Sequence, residues 1–151
     1  MNLFETHRDR LEKTIQSIHK GLFFNQYAEL PTDEIYGENS ISEGYQKFKS
    51  HINRKFEGLR QAKPGEWEGD EQSPFLRQPL NILYPTFDIL TLIQRAKTQF
   101  HKWRRISPEQ RAGLLLESLE RISRRFFEIA YATMHTTGMR YPMAFQVSGP
   151  H

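Results

Sequence analysis

The chain has 151 residues, 21 Lys and Arg against 18 Asp and Glu, and no cysteine. That length allows one domain, which buries about 70 % of the surface its unfolded chain exposes, while the missing cysteines exclude disulfides, thiolate metal sites and a cysteine nucleophile within these residues. A formal charge of +3 compels no nucleic-acid or anionic-membrane partner, and 11 Phe with 6 Tyr supply enough bulky apolar material to argue against disorder throughout.

The opening residues lack a long apolar run and carry acidic Glu5 and Asp9. They match neither a secretory signal nor a transit peptide, and no apolar segment reaches bilayer length, so a cytoplasmic protein is expected. Phe4, Leu11, Ile15, Ile18 and Leu22 share one helical face, with Asp9 and Lys13 as an i,i+4 pair on the other and Gly21 near the end. Residues 23–39, with Pro31 and Gly37, read as an irregular connection, and Ser42 as the cap of a helix carrying Tyr45, Phe48 and Ile52. From Gly58 to Gln78 the chain is turn-rich, punctuated by Pro64-Gly65 and Gly69-Asp70, with Trp67 as its large anchor. Leu80, Ile82 and Tyr84 alternate with Asn81 and Leu83, a short strand signal between Pro79 and Pro85.

Two amphipathic helices follow. Asp88 is placed to cap the first, whose stripe is Ile89, Leu92, Ile93, Ala96, Phe100 and Trp103. Ser107-Pro108-Glu109-Gln110 opens the second: Ser at the N-cap, Pro where no N–H is needed, Gln able to bond back to the cap. Its stripe, Ala112, Leu115, Leu116, Leu119, Ile122, Phe126, Ile129, Ala130 and Thr133, runs to Gly138, a length of about thirty residues that is long for a globular helix. Pro142 starts a further short helix before Ser148-Gly149-Pro150. The fold class expected is mostly α, with four helices and one or two short strands.

No catalytic constellation is legible. The basic residues Lys102, Arg104, Arg105, Arg121, Arg124 and Arg125 suggest a nucleic-acid footprint, but Glu117–Arg121, Glu120–Arg124 and Arg124–Glu128 are i,i+4 neighbours that compensate much of the charge, so a solvated, ion-paired face is the expectation. His7, His19, His51, His101, His135 and His151 show no metal-ligand spacing. His135, with Thr136, Thr137 and Gly138, is the one polar cluster at a helix end; capping of the last carbonyls is expected there, with a substrate contact as the functional alternative. Glu66, Glu68, Asp70 and Glu71 sit in the turn-rich stretch with no sign of burial, and Gly-rich phosphate loops and serine-nucleophile elbows are absent.

The order Ala96, Phe100, Trp103, then Ser107-Pro108-Glu109-Gln110-Arg111, Leu115, Leu119, Arg125 and Thr137-Gly138 resembles the N-terminal helical pair of the aldehyde dehydrogenase superfamily. Tyr36-Gly37-Glu38, Ser73-Pro74-Phe75, Tyr84-Pro85, Phe126-Phe127-Glu128-Ile129-Ala130, Met134-His135, Met143-Ala144-Phe145-Gln146 and Gly149-Pro150-His151 extend that resemblance to its PaaN (phenylacetic acid degradation) branch. The resemblance implies the helical N-terminal portion of an α/β fold, lacking the nucleotide-binding sheet and catalytic domain. Residues 1–57 would form a helical N-terminal extension, 58–85 a loop and short strand, and 86–151 the helical pair and the start of a further helix. It also implies an oxidoreductase that uses NAD or NADP on a CoA-linked, ring-opened semialdehyde, through a cysteine thiolate, an oxyanion-hole asparagine and a glutamate-assisted water. None of those groups maps onto these residues, so no catalytic, cofactor-binding or metal residue is assigned, no cofactor is expected on this chain alone, and the chain alone is expected to be inactive.

Leu115, Leu116, Leu119, Ile122, Phe126 and Ile129, at about 1.5–3 kcal/mol each when buried, represent on the order of 9–18 kcal/mol, which rivals a domain's net stability. The partner expected to cover them is the remainder of the dehydrogenase fold or another copy of the chain; the alternative function is a non-catalytic helical interaction or oligomerisation module.

Overall fold

In the computed structural model, residues 2–59 and 65–151 are described; Pro64 of the expected Pro64-Gly65 turn lies outside them. Helix α1 (Leu3–His19) is followed by a single turn, α2 (Asp33–Tyr36), and by α3 (Ser40–Lys49). Four two-residue strands come next: β1 (Trp67–Glu68), β2 (Gln72–Ser73), β3 (Gln78–Pro79) and β4 (Tyr84–Pro85). The chain then runs through α4 (Ile89–Trp103), α5 (Pro108–Ser123), α6 (Phe126–Thr137) and α7 (Tyr141–Ser148). The mostly helical character expected of the sequence is what the molecule has.

Helix α6 is the centre of the packing. It lies against α3 on one side and α7 on another, and it separates two apolar clusters. Phe126, Phe127, Ala130 and Phe145 form the first, bordered by Tyr27, Tyr36, Ile41 and Tyr141; Phe48, Leu80 and Ile82 form the second, bordered by Tyr45, Phe56, Tyr84 and Tyr131. The first is built on aromatic edges, with Tyr36 meeting both Phe127 and Phe145 in T-shaped contacts at 5.2 and 5.5 Å, the geometry ring quadrupoles favour. The α3–α6 approach is close because position 44 is glycine: a Cβ built there would sit 2.8 Å from the carbonyl carbon of Phe127.

Helices α1 and α5 pack on each other as a separate pair. Gly113 is the corresponding close approach, where a Cβ would stand 2.7 Å from the backbone carbon of Leu3. The capping signals at the starts of α4 and α5 are realised. The Asp88 carboxylate accepts from the Thr91 N–H at 2.7 Å, and Ser107 and Gln110 bond reciprocally at 3.2 and 3.3 Å, so the four-residue pattern does fix where α5 begins.

Four expectations are corrected. The thirty-residue helix is two helices, broken at Arg124-Arg125: the Arg125 N–H donates to the Ile122 carbonyl at 2.8 Å, a tightened final turn, and Arg125 leaves the helical region at φ −122°, ψ 9°. Periodicity misses the break because both halves are amphipathic; they face different neighbours, α5 turning to α1 and α6 to α3 and α7. The helix expected from Ser42 starts at Ser40, preceded by Asn39 in the left-handed region at φ 67°, where asparagine is tolerated. Residues 80–84 are not one strand. Leu80 and Ile82 do point inward and Asn81 outward, but Asn81 has φ 49°, and hydrogen bonds run instead to the loop after α3, from the Asn53 N–H to Leu80 O at 3.0 Å and from the Phe56 N–H to Leu83 O at 2.8 Å. The flanking residues pair as two antiparallel ribbons, β1 with β4 and β2 with β3, and α2 forms inside the stretch read as irregular.

Candidate functional site

Two polar clusters meet the second apolar cluster. In the first, Glu128 projects from the opening turn of α6 and is buried, its carboxylate accepting from Arg125 Nε at 2.8 Å and Nη2 at 2.6 Å. His51, just beyond α3, lies with Nε2 2.8 Å from Glu128 Oε1. These contacts, the Arg125 hydrogen bond foremost, hold the Glu128 carboxyl below the usual glutamate range despite burial, and the same bond raises the Arg125 guanidinium. The cluster ties α3 to the first turn of α6 across the helix break.

In the second, His135 is buried in the last turn of α6, stacked on Phe48 with ring centroids 4.7 Å apart. Its Nδ1 is 2.7 Å from the buried Ser73 Oγ, which accepts from the Leu76 N–H at 3.1 Å. The other ring nitrogen, Nε2, has no partner among the described residues. Burial alone pulls the His135 pKa down, so the ring is neutral and serves to fasten the β2–β3 ribbon to α6. A Ser–His pair at this distance has the components of a nucleophile and base, but both residues are buried.

The sequence placed His135 and the threonines at the helix end as carbonyl caps; His135 turns inward instead, and the threonines bond back to carbonyls one turn earlier in the helix, Thr136 Oγ1 donating to Ala132 O at 2.9 Å and Thr137 Oγ1 to Thr133 O at 2.6 Å. Glu71 departs from the expectation of exposure: it is partly buried, and its Oε2 has no partner among the described residues. Of the helix-surface ion pairs, Glu117–Arg121 forms at 2.8 Å. Glu120 pairs instead with Arg10 across the α1–α5 contact at 2.6 Å, and Glu128 with Arg125 and His51; Asp9–Lys13 is absent among the described residues, where the Lys13 ammonium sits over the Phe24 ring. The Arg125–Glu128–His51 cluster escapes sequence reasoning because His51 lies 77 positions from Glu128 and the helix break makes i,i+3, not i,i+4, the working spacing.

Among the described residues no group of three or more His, Cys, Asp and Glu is placed to hold a metal, and no helix is long and apolar enough to cross a membrane. A dinucleotide needs parallel strands with a glycine-rich turn leading into a helix; both ribbons here are antiparallel, so the residues present do not fit such a cofactor.

The largest departure from a self-contained domain is α4. None of its residues is buried; Ile89 and Leu90 are 70 % and 75 % exposed and Phe100 58 %. The outer face of α5 is similarly open at Leu115 and Leu119, 59 % and 50 % exposed. No protein-family model and no curated protein matches the chain. Among solved structures, an NAD-dependent aldehyde dehydrogenase from Burkholderia multivorans matches it with a TM-score of 0.91 and 40 % sequence identity over 100 % of this chain. The chain has the fold of a segment of an aldehyde dehydrogenase. It spans 27 % of the length of that enzyme.

Proposed function

We propose that this chain is the N-terminal helical part of a cytoplasmic NAD- or NADP-dependent aldehyde dehydrogenase of the PaaN type, which oxidises a CoA-linked, ring-opened semialdehyde in phenylacetate catabolism. The superfamily rests on the similarity of this whole chain to a 27 % share of the Burkholderia enzyme; the branch rests on the motifs from Tyr36-Gly37-Glu38 to Gly149-Pro150-His151. In this reading the 151 residues do no chemistry. Their part is to cover and brace the rest of the enzyme, which brings the cysteine, the oxyanion hole and the nucleotide site.

The observation that carries the reading is the uncovered apolar side of α4 and α5. Contiguous exposed apolar surface marks an interaction face, and a chain matching 27 % of a larger enzyme has an evident source of cover in the remaining part of such a fold. A chimera tests this directly: the Burkholderia enzyme with its matching segment replaced by these 151 residues is expected to fold and to reduce NAD with an aldehyde, and a chimera unable to fold speaks against the assignment. The 151-residue protein by itself is expected to form no NADH or NADPH with any aldehyde, so turnover by the pure protein overturns the division of labour. Light scattering separates the alternative, since a discrete, monodisperse oligomer would identify a self-standing oligomerisation module.

A further inference from the structure

A cleft of about 290 Å³ opens between the loop after α3 and the side of α6. Its floor of Phe48, Ile82, Ile129 and Ala132 is apolar, Phe56 and Tyr84 line it beside that floor, and Thr133 and Thr136 add two hydroxyls. Phe56 and Tyr84 pack against each other as a tilted pair, at 52° with 5.7 Å between centroids, and the His51 ring meets Phe56 edge-on at 5.3 Å. Faces and edges offered together suit a planar ring better than an alkyl chain, because ring quadrupoles reward offset and T-shaped contacts. The volume is near the lower bound for small-molecule sites, about 300 Å³, which fits one ring with a short substituent.

The end of the cleft is cationic. Glu128 is fully engaged by Arg125 and His51, but Nη1 of Arg125 donates to nothing among the described residues. The cleft continues past His51, Phe56 and Arg125 into an open hollow whose rim adds Arg54 and Lys55 against the single acid Glu57. With Glu128 neutralised by its partners, positive charge prevails at this end, and the spare guanidinium edge supplies a directed donor.

We infer that this cleft is a binding site for a small aromatic anion, its ring lying against the adjoining Phe56–Tyr84 pair and the Phe48–Ile82 floor and its acid group against Arg125, with Arg54 behind it. The inference does not depend on which dehydrogenase branch the chain comes from. Calorimetric titration of the 151-residue protein with benzoate, phenyl phosphate, cyclohexanecarboxylate and benzyl alcohol tests it. Benzoate or phenyl phosphate is expected to bind at least tenfold more tightly than either control, one lacking the ring's aromaticity and the other the charge.

Ala132→Leu, which fills the floor, and Arg54→Gln, which removes an exposed charge without touching the Glu128 cluster, are each expected to weaken binding of the aromatic acid several-fold or more while the circular dichroism spectrum stays unchanged. Leu115→Ala, on the open face of α5, is expected to leave it alone. Equal affinity for benzoate and benzyl alcohol, an unaltered affinity in folded Ala132→Leu, or no binding of either acid to folded protein overturns the assignment.

Discussion

The two halves of what sequence periodicity joins into one long helix behave as different materials. Helix α6 buries Phe126, Phe127 and Ala130 and is enclosed by α3 and α7, whereas α5, one turn earlier, leaves Leu115 and Leu119 at least half exposed and touches mainly α1. Helix α4 goes further and buries nothing. An apolar stripe therefore reports that a helix was shaped against something. It does not say whether that something belongs to the same stretch of chain: α6 finds its cover in α3 and α7, and α4 finds none among the described residues.

That contrast can be broken most severely at Phe145. Its ring is fully enclosed by Tyr36, Phe126 and Phe127, so Phe145→Ala should cost about 3–5 kcal/mol, read as a lowered urea midpoint, while Leu115→Ala should stay within about 0.5 kcal/mol. Equal losses at the two sites would mean the open face of α5 is covered in solution. Next come the glycine contacts. Gly44→Ala forces the α3 and α6 backbones apart and is expected to cost about 1–3 kcal/mol by overpacking; Gly113→Ala should disturb the α1–α5 pair by a comparable amount. If the two regions are energetically separate, amide exchange will quicken in α3 and α6 with the first variant and in α1 and α5 with the second.

A pH titration sharpens the comparison without cutting packing. Burial lowers the His135 pKa in the folded protein from its ordinary 6.5, so above that value the neutral ring costs nothing. As pH falls below 6.5 the unfolded chain takes up a proton that the folded one resists, and stability drops until the folded-state pKa is passed. Glu128 adds a second loss at lower pH, because its lowered folded-state pKa stabilises only above the ordinary glutamate range. Denaturation midpoints at neutral pH and near pH 5 should therefore differ in the native protein and differ less in His135→Phe. A native midpoint indifferent to this range would contradict a buried neutral imidazole. The smallest effect is expected on α4: Ile93→Asn with Phe100→Asn should leave stability within about 0.5 kcal/mol while reducing light-scattering signs of self-association.

Where local chemistry determines structure, the sequence was readable. Asp88 and the Ser107-to-Gln110 box mark the starts of α4 and α5, Gly138 takes the left-handed φ of 79° that ends α6, and the alternation around Asn81 predicts which side chains turn inward. What was hidden depends on partners distant in the chain. The break at Arg124-Arg125 follows from α5 and α6 having different neighbours, and the burial of His135 follows from Phe48 and Ser73, 87 and 62 positions earlier. The apolar cleft by Arg125 has no local signature because its walls come from the α3 loop, the region before α4, and α6.

Tyr27 spans the corner between the two regions. Its ring meets Phe126 edge-on at 5.0 Å, while its hydroxyl lies 3.3 Å from both the Arg10 guanidinium and the Glu120 carboxylate. A side chain from a loop about a hundred positions away thus works as a brace on the outside of an elbow: load placed on the α1–α5 arm would arrive at the aromatic centre through this phenol as well as through the backbone. Shortening the brace to phenylalanine would keep the hinge and lose its set angle.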